Sequence, residues 1–407
     1  MVDQHRAGYR PRSPSAHPPS AENAIIRPPA SPARILAVVF LPFAGAYFLA
    51  YLYRATNAVI GPRIAADLGL GAEALGLLTS AYFLAYAVLQ LPVGIALDRW
   101  GPRRTEAALL VVAACGALLF AAGRDAATLA AGRALIGIGV ASCLMAGFKA
   151  NFQWWPAERL PLVNGTFMSF GALGALAATA PLEFGAAAFG WRAPFVVLAA
   201  ATLAVAAWIW RAVPDHPAER RGRESLRDAL RGVAAVFGDR LFWRMTPVLM
   251  TSQAAAMAWL SLWAGPWLRD VGGHDAAGAA GVLLVAAVAM GLGFAGGGAI
   301  TGALRRLGIS PLTVVAWAMA AMLAAILLLA AALPGAAAWW AAVAFTSGVP
   351  IVCYAVLSHS FPPALAGRVN TALNVMVFVA VFAVQWGIGS LLDRWPGGEG
   401  YRMALTA

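Results

Sequence analysis

The stretch Gly94-Ile95-Ala96-Leu97-Asp98-Arg99-Trp100-Gly101-Pro102-Arg103-Arg104 decides how the rest of the chain is read. One acid, three arginines, two glycines and a proline are gathered here, and upstream no charge occurs from Ala74 to Leu97. That uncharged run exceeds the roughly 18 residues that mark a membrane-spanning helix. Leu160–Leu182 and Met245–Leu268 are runs of the same kind. The quoted stretch is therefore a short charged connection between two membrane spans.

Composition agrees. Of 407 residues, 61% are apolar and only 12% charged, with a mean hydropathy of +0.73. A soluble domain has about 45–50% apolar and about 25% charged residues, so a soluble enzyme with one buried core is excluded. The net charge of +11 comes from 29 basic residues, of which Lys149 alone is lysine. In a soluble protein this excess would suggest nucleic acid. Here the arginines gather between apolar runs and read as topology signals, so no nucleic-acid partner is expected. Cys115, Cys143 and Cys353 lie inside apolar runs without paired spacing, which supports neither a disulfide framework nor a metal site.

Eleven spans are predicted, at 35–58, 74–97, 106–123, 127–148, 160–183, 193–211, 244–268, 276–302, 311–332, 337–358 and 368–392. Arginines concentrate before span 1, after span 2, in the segment from Arg211 to Arg244, at Arg305 and Arg306, and at Arg368. That asymmetry puts the N-terminus in the cytoplasm and the chain, as a multi-pass protein, in the cytoplasmic (inner) membrane. Residues 1–33 are rich in proline, serine and arginine and read as a disordered cytoplasmic tail. The predicted organisation is a first half at 34–211, a basic cytoplasmic linker at 212–243 and a second half at 244–407.

A weak internal repeat supports two halves. Val163-Asn164-Gly165-Thr166 is followed by Gly190-Trp191-Arg192, as Val369-Asn370-Thr371-Ala372 is followed by Gly400-Tyr401-Arg402. Arg192 precedes a sixth span, whereas Arg402 precedes five residues. The twelfth span is thus expected to be missing or truncated, or the chain has eleven.

The Gly94–Arg104 loop resembles the signature loop of the major facilitator superfamily: a glycine, then Asp-Arg, then a glycine and a basic pair. Arg133-Ala134-Leu135-Ile136-Gly137-Ile138-Gly139 on span 4 resembles that family's second motif, and Gly302-Ala303-Leu304-Arg305-Arg306-Leu307-Gly308 resembles a degenerate copy of the loop. The resemblance covers nearly the whole chain from Arg34. It implies an all-α polytopic fold of two six-helix halves and a secondary transporter without cofactor. It also implies that Gly94, Asp98, Arg99, Gly101, Arg103 and Arg104 form a gate with the start of span 11 at Arg368, and that substrate sits between spans 1, 4, 5, 7, 10 and 11. Positive-inside topology alone also accounts for the arginines.

Charges inside spans are costly and mark functional candidates. Arg54, Arg133 and Glu183 are placed near one surface, where the arginines suit an anionic substrate and Glu183, read as the one acid well inside a span, suits proton coupling. Glu183 paired with one of those arginines, or a snorkelling Arg54, is the alternative. Lys149 reads as a snorkelling anchor. Tyr47, Tyr51 and Arg54 form one helical stripe, and Tyr82, Tyr86 and Gln90 another. With Gln253, Trp259, Tyr354, Asn370 and Asn374 from the second half they are candidate substrate contacts, although such stripes also serve packing. Glycines on spans 5 and 8, among them Gly171, Gly174 and Gly293, suit close helix approach or sliding. Span 5 lacks the crowded glycine–proline pattern typical of the family's drug antiporters.

No catalytic or phosphate-binding motif occurs, and the five histidines lie in tails, loops or a span end, so no enzyme activity, metal or cofactor is expected. The sequence reading is a monomeric permease for a small organic anion in the lipid bilayer, with protons as a candidate coupling ion. An efflux pump for hydrophobic compounds, or a transport-inactive receptor or scaffold, is the alternative.

Overall fold

Apolar helices with few internal charges can satisfy every backbone group within one segment, the requirement that lipid imposes. In the structure, a computed structural model, residues 31–156, 159–215, 226–361 and 365–406 are described, and among these every regular element is helical. Among the described residues, nine helical stretches are long and apolar enough to cross a membrane. One of them, Ala72–Ala122, is 51 residues long and holds spans 2 and 3. The continuous helical run from Arg240 to Asp270, with its uncharged stretch from Met245, adds span 7. Eleven spans result among the described residues. Their outward faces carry Val88, Phe184, Phe189, Trp317 and Leu323, all exposed, as side chains that meet lipid must be.

Several boundaries differ from the sequence reading. The loop expected over 98–105 is a single break at Gly101, whose φ of 78° suits glycine and directs the chain into span 3 at Pro102. Span 1 runs to Leu68, which places Arg54 mid-span rather than near an end. Span 4 is interrupted at Ala141 and Ser142, between helices Ala126–Val140 and Cys143–Trp154. The expectation of a disordered tail falls largely on residues 1–30, outside the described residues, while Pro32, at the first turn it favours, already opens a helix. Of the 212–243 linker, residues 216–225 lie outside the described residues, and Leu226–Phe237 is an amphipathic helix. Beyond span 11 the chain forms a short helix, Gly398–Thr406, against spans 9 and 11, and Tyr401 donates a 2.8 Å hydrogen bond to Asp270.

Packing repeats between the halves. Span 1 packs on span 5 as span 7 packs on span 11, and the halves meet where span 2 lies along span 11, span 5 along span 8 and span 1 along span 7. The side that carries Asp98, Arg103 and the Leu226–Phe237 helix is called the linker side below. The side that carries Asp67, Asp125, Asp270 and Asp393 is called the far side. Close approach at the far side needs glycine: a Cβ at Gly389 of span 11 would stand 2.6 Å from the Ala72 carbonyl oxygen of span 2. Gly171 and Gly174 meet Tyr47, Tyr51 and Phe48 on span 1, and Gly293 meets Phe345 on span 10, so these glycines serve packing within each half.

Candidate functional site

Spans 1, 5, 7, 8 and 10 enclose a cavity of about 100 Å³. Its walls are mainly alanine, methionine and leucine, its polar groups include Tyr51, Thr179, Gln253, Ser261 and Ser347, and Arg54 is the one charged residue among the described lining residues. Helical geometry accounts for the span 1 contribution, since Tyr51, Arg54, Ala55 and Ala58 repeat at i, i+3, i+4 and i+7.

Arg54 is caged by aromatic faces. Its guanidinium carbon lies 4.6 Å from the Tyr51 ring centre, 5.4 Å from Phe378 and 5.5 Å from Tyr86. Cation–π attraction, worth up to about 2 kcal/mol where water is excluded, offsets part of the cost of holding the charge there. Arg54 joins no ion pair among the described residues, and its Nε is buried without a hydrogen-bond partner. A planar cation held by rings, with its Nε unpartnered, suits a carboxylate or sulfonate.

Arg133 is placed differently. It is fully buried, donates from Nη1 to the Tyr53 carbonyl at 2.9 Å, lies 4.9 Å from the Tyr82 ring centre and does not line the cavity. It braces the backbone one residue before Arg54. Of the other candidate contacts, Tyr51 and Gln253 reach the cavity, and Gln253 Nε2 also donates to the Ser347 carbonyl at 2.6 Å. Tyr47 stacks on Phe167, and Tyr82 and Tyr86 stack on each other behind Arg54. Trp259 packs on Trp340. Tyr354 donates to Asn374 Oδ1 at 2.6 Å, joining spans 10 and 11. Asn370 lies one turn before Asn374 and is half-buried. Spans 4 and 11, expected to line the cavity, stand behind it, and span 8 takes their place through Leu283, Ala286 and Met290.

Glu183 does not approach Arg54 or Arg133. It forms an ion pair with Arg63, and it borders with Arg269 a recess of about 10 Å³. Ala58, Val59 and Leu283 line both spaces, so the recess continues the cavity toward the far side.

The signature loop makes its contacts within the first half and with Asp215, just beyond its end. Asp98 accepts from Lys149 Nζ, which also donates to the Leu97 carbonyl at 2.8 Å, so Lys149 is an ion-pair partner rather than a snorkelling anchor. Arg103 donates to the Trp210 carbonyl at 2.6 and 3.0 Å, and Arg103 and Arg104 both reach Asp215, each at 3.1 Å, which ties spans 2 and 3 to the end of span 6. Arg99 lies over Trp100. A Cβ at Gly94 would meet open space. Arg368, at the start of span 11, lies against Gly232 of the Leu226–Phe237 helix.

At the far side the halves are joined directly. Asp393, at the end of span 11, accepts from the backbone N–H groups of Ala72 and Glu73 at 2.8 Å each, and Trp386 donates to Glu73 Oε1 at 3.2 Å. Sequence reasoning passed over Asp393, because a charge just outside a span looks like topology. It also passed over Phe378, one more apolar residue in an apolar run. Glu106 was read as the edge of span 3, yet it is fully buried.

Comparison with known proteins agrees with this architecture. A probable sulfoacetate transporter of Cupriavidus necator is 27% identical over 241 residues, 56% of each chain. The hexuronate transporter of Escherichia coli K12 is 28% identical over 175 residues, 42% of this chain and 40% of the relative. The chain thus spans about half the length of the curated relatives it matches. Among solved structures, that of the nucleoside transporter NupG superimposes with a TM-score of 0.73 at 12% identity, over 90% of this chain and 95% of the other, a likeness of fold. The pattern that defines the Major Facilitator Superfamily matches residues 43–384, and this chain, with its paired halves around a central cavity, belongs to that superfamily.

Proposed function

We propose that this chain is a secondary transporter that carries a small organic anion across the cytoplasmic membrane by alternating access. The observation that carries the reading is Arg54: one cation in a cavity of about 100 Å³, held by Tyr51, Tyr86 and Phe378 and free of any acidic partner among the described residues. A carboxylate or sulfonate supplies the missing anion, and Gln253, Ser261 and Thr179 offer hydrogen bonds to the remainder of a short polar solute. The relatives named for sulfoacetate and hexuronate support the same class of solute. The N-terminus and the linker are assigned to the cytoplasm, the halves to residues 34–211 and 244–407, and the transporting unit to a single chain. Far-side closure through Asp393 then makes this conformation the inward-facing one.

The mostly apolar walls, with Met257, Leu260 and Met290, favour a second reading, export of hydrophobic compounds. Uptake of radiolabelled galacturonate and sulfoacetate into vesicles, with hydrophobic cations as the comparison, separates the two. We expect Arg54→Ala to reduce anion uptake by at least about 100-fold, since a charge-assisted contact to the solute is lost, and Arg54→Lys to recover part of it. Undiminished anion uptake by a folded Arg54→Ala protein would sink the anion reading.

A further inference from the structure

Glu106 is a fully buried acid that the cavity does not use. Its Oε2 accepts a hydrogen bond from the Ser142 hydroxyl, its Oε1 is buried without a partner, and it joins no ion pair among the described residues. Glu183, by contrast, has Arg63. Ser142 sits at the interruption of span 4, so Glu106 closes the break from span 3. On its other side Glu106 meets the Cys143 thiol, a weak donor within hydrogen-bond reach, and Cys143 is within electrostatic reach of Arg54. The acid therefore stands one side chain behind the wall that holds the anion-seeking cation. It is also only five residues, or about 7–8 Å along the helix, from the break at Gly101 on the linker side.

An ionised carboxylate in such a place, without a cation, is far more costly than a neutral carboxyl. We propose that Glu106 is the proton-binding site of this transporter, that it holds a proton in the conformation described, and that it exchanges that proton with the linker side when the Ser142 break of span 4 moves. The surrounding charges fit this role. From span 4 it faces Ser142 and Cys143, and farther along Lys149 is committed to Asp98. On its own helix Arg103 and Arg104 are committed to Asp215, which follows span 6, and Arg211 of span 6 is exposed at the same end. Arg54 acts on the neighbouring Cys143. One proton bound at Glu106 and one monovalent anion bound at Arg54 move together as a neutral pair, so a proton gradient drives the anion. This coupling rests on the anion-transport reading given above; the proton site does not.

The test uses the full chain in lipid vesicles. Infrared difference spectra, recorded as pH is stepped from about 5 to about 10, a range that brackets values recorded for buried glutamates, read the carbonyl stretch of a protonated carboxyl without any solute. We expect a titrating band that Glu106→Gln removes and Ser142→Ala shifts in midpoint. A spectrum unchanged by Glu106→Gln overturns the proposal. Galacturonate flux is then compared in the same vesicles: Glu106→Gln is expected to lower accumulation driven by a proton gradient about tenfold or more relative to exchange of solute for solute. Equal loss of both fluxes assigns Glu106 a structural role and overturns the coupling. A Glu106 band in a protein that moves no anion retains the proton site and overturns the anion-transport reading instead.

Discussion

The two ends of the span 2–span 11 pair use the same chemistry in opposite ways. At the far end, Asp393 of span 11 binds the first two N–H groups of span 2, which have no side-chain cap of their own because Gly71 precedes them. A helix start carries unpaired donors and a partial positive charge, so the carboxylate is held by both. At the linker end, Asp98 lies in the last turn of span 2 before Gly101, where the exposed carbonyls repel an anion. It takes Lys149 as its partner, and the same ammonium serves the Leu97 carbonyl. The result is a contact between halves at one end and within a half at the other. In this conformation a carboxylate joins the halves at Asp393, where a helix start from the other half faces it, and stays within its own half at Asp98.

This contrast can be broken at several points. Each can be read from the rate at which an impermeant thiol reagent, added on the far side, labels Val59→Cys, a cavity-lining position, in a background lacking the three native cysteines. The largest effect is expected from Gly389→Val. Its Cβ would stand 2.6 Å from the Ala72 carbonyl, so the far ends of spans 2 and 11 must part, at a cost to the closed state of about 1–3 kcal/mol, with labelling roughly 5- to 150-fold faster. Unchanged labelling would mean that the helices do not meet so closely.

Asp393→Ala comes next. Two charge-assisted hydrogen bonds at an exposed site are worth about 1–2 kcal/mol together after solvent screening, which predicts labelling roughly 5- to 30-fold faster. Asp98→Asn is expected to act less on this readout, within about threefold, because its partner moves with it in the same half. An effect of Asp98→Asn larger than that of Asp393→Ala would reverse the assignment of which end holds the halves together. Trp386→Phe should change labelling least, since it removes one 3.2 Å hydrogen bond to an exposed Glu73 side chain and keeps the ring.

The cavity and the latch differ in how legible they were. Arg54, Tyr51 and Gln253 could be singled out because polar groups in a run of apolar residues stand out by themselves. That Arg133, equally conspicuous, turns to the Tyr53 carbonyl instead of the cavity could not be read, because both arginines have the same local signature. Phe378 carries no signal, yet it is one wall of the cage around Arg54. Glu106 was mistaken for a span edge because the break between spans 2 and 3 is a single residue, where charge counting places a loop of eight.

By itself the sequence determined the class of molecule, the eleven apolar spans, the two related halves and the superfamily's loop. Each of these is written in consecutive residues, since length, charge and the positions of glycine and proline decide whether a segment spans a membrane. Tertiary structure alone decided which spans line the cavity, that Asp98 meets Lys149, that Glu183 meets Arg63 and that Asp393 meets Ala72. The physical reason is that membrane helices are apolar on every side. Lipid and protein interior differ little in polarity, so periodicity does not say which face turns inward, and partners follow from helix rotation and close packing that only the assembled bundle settles.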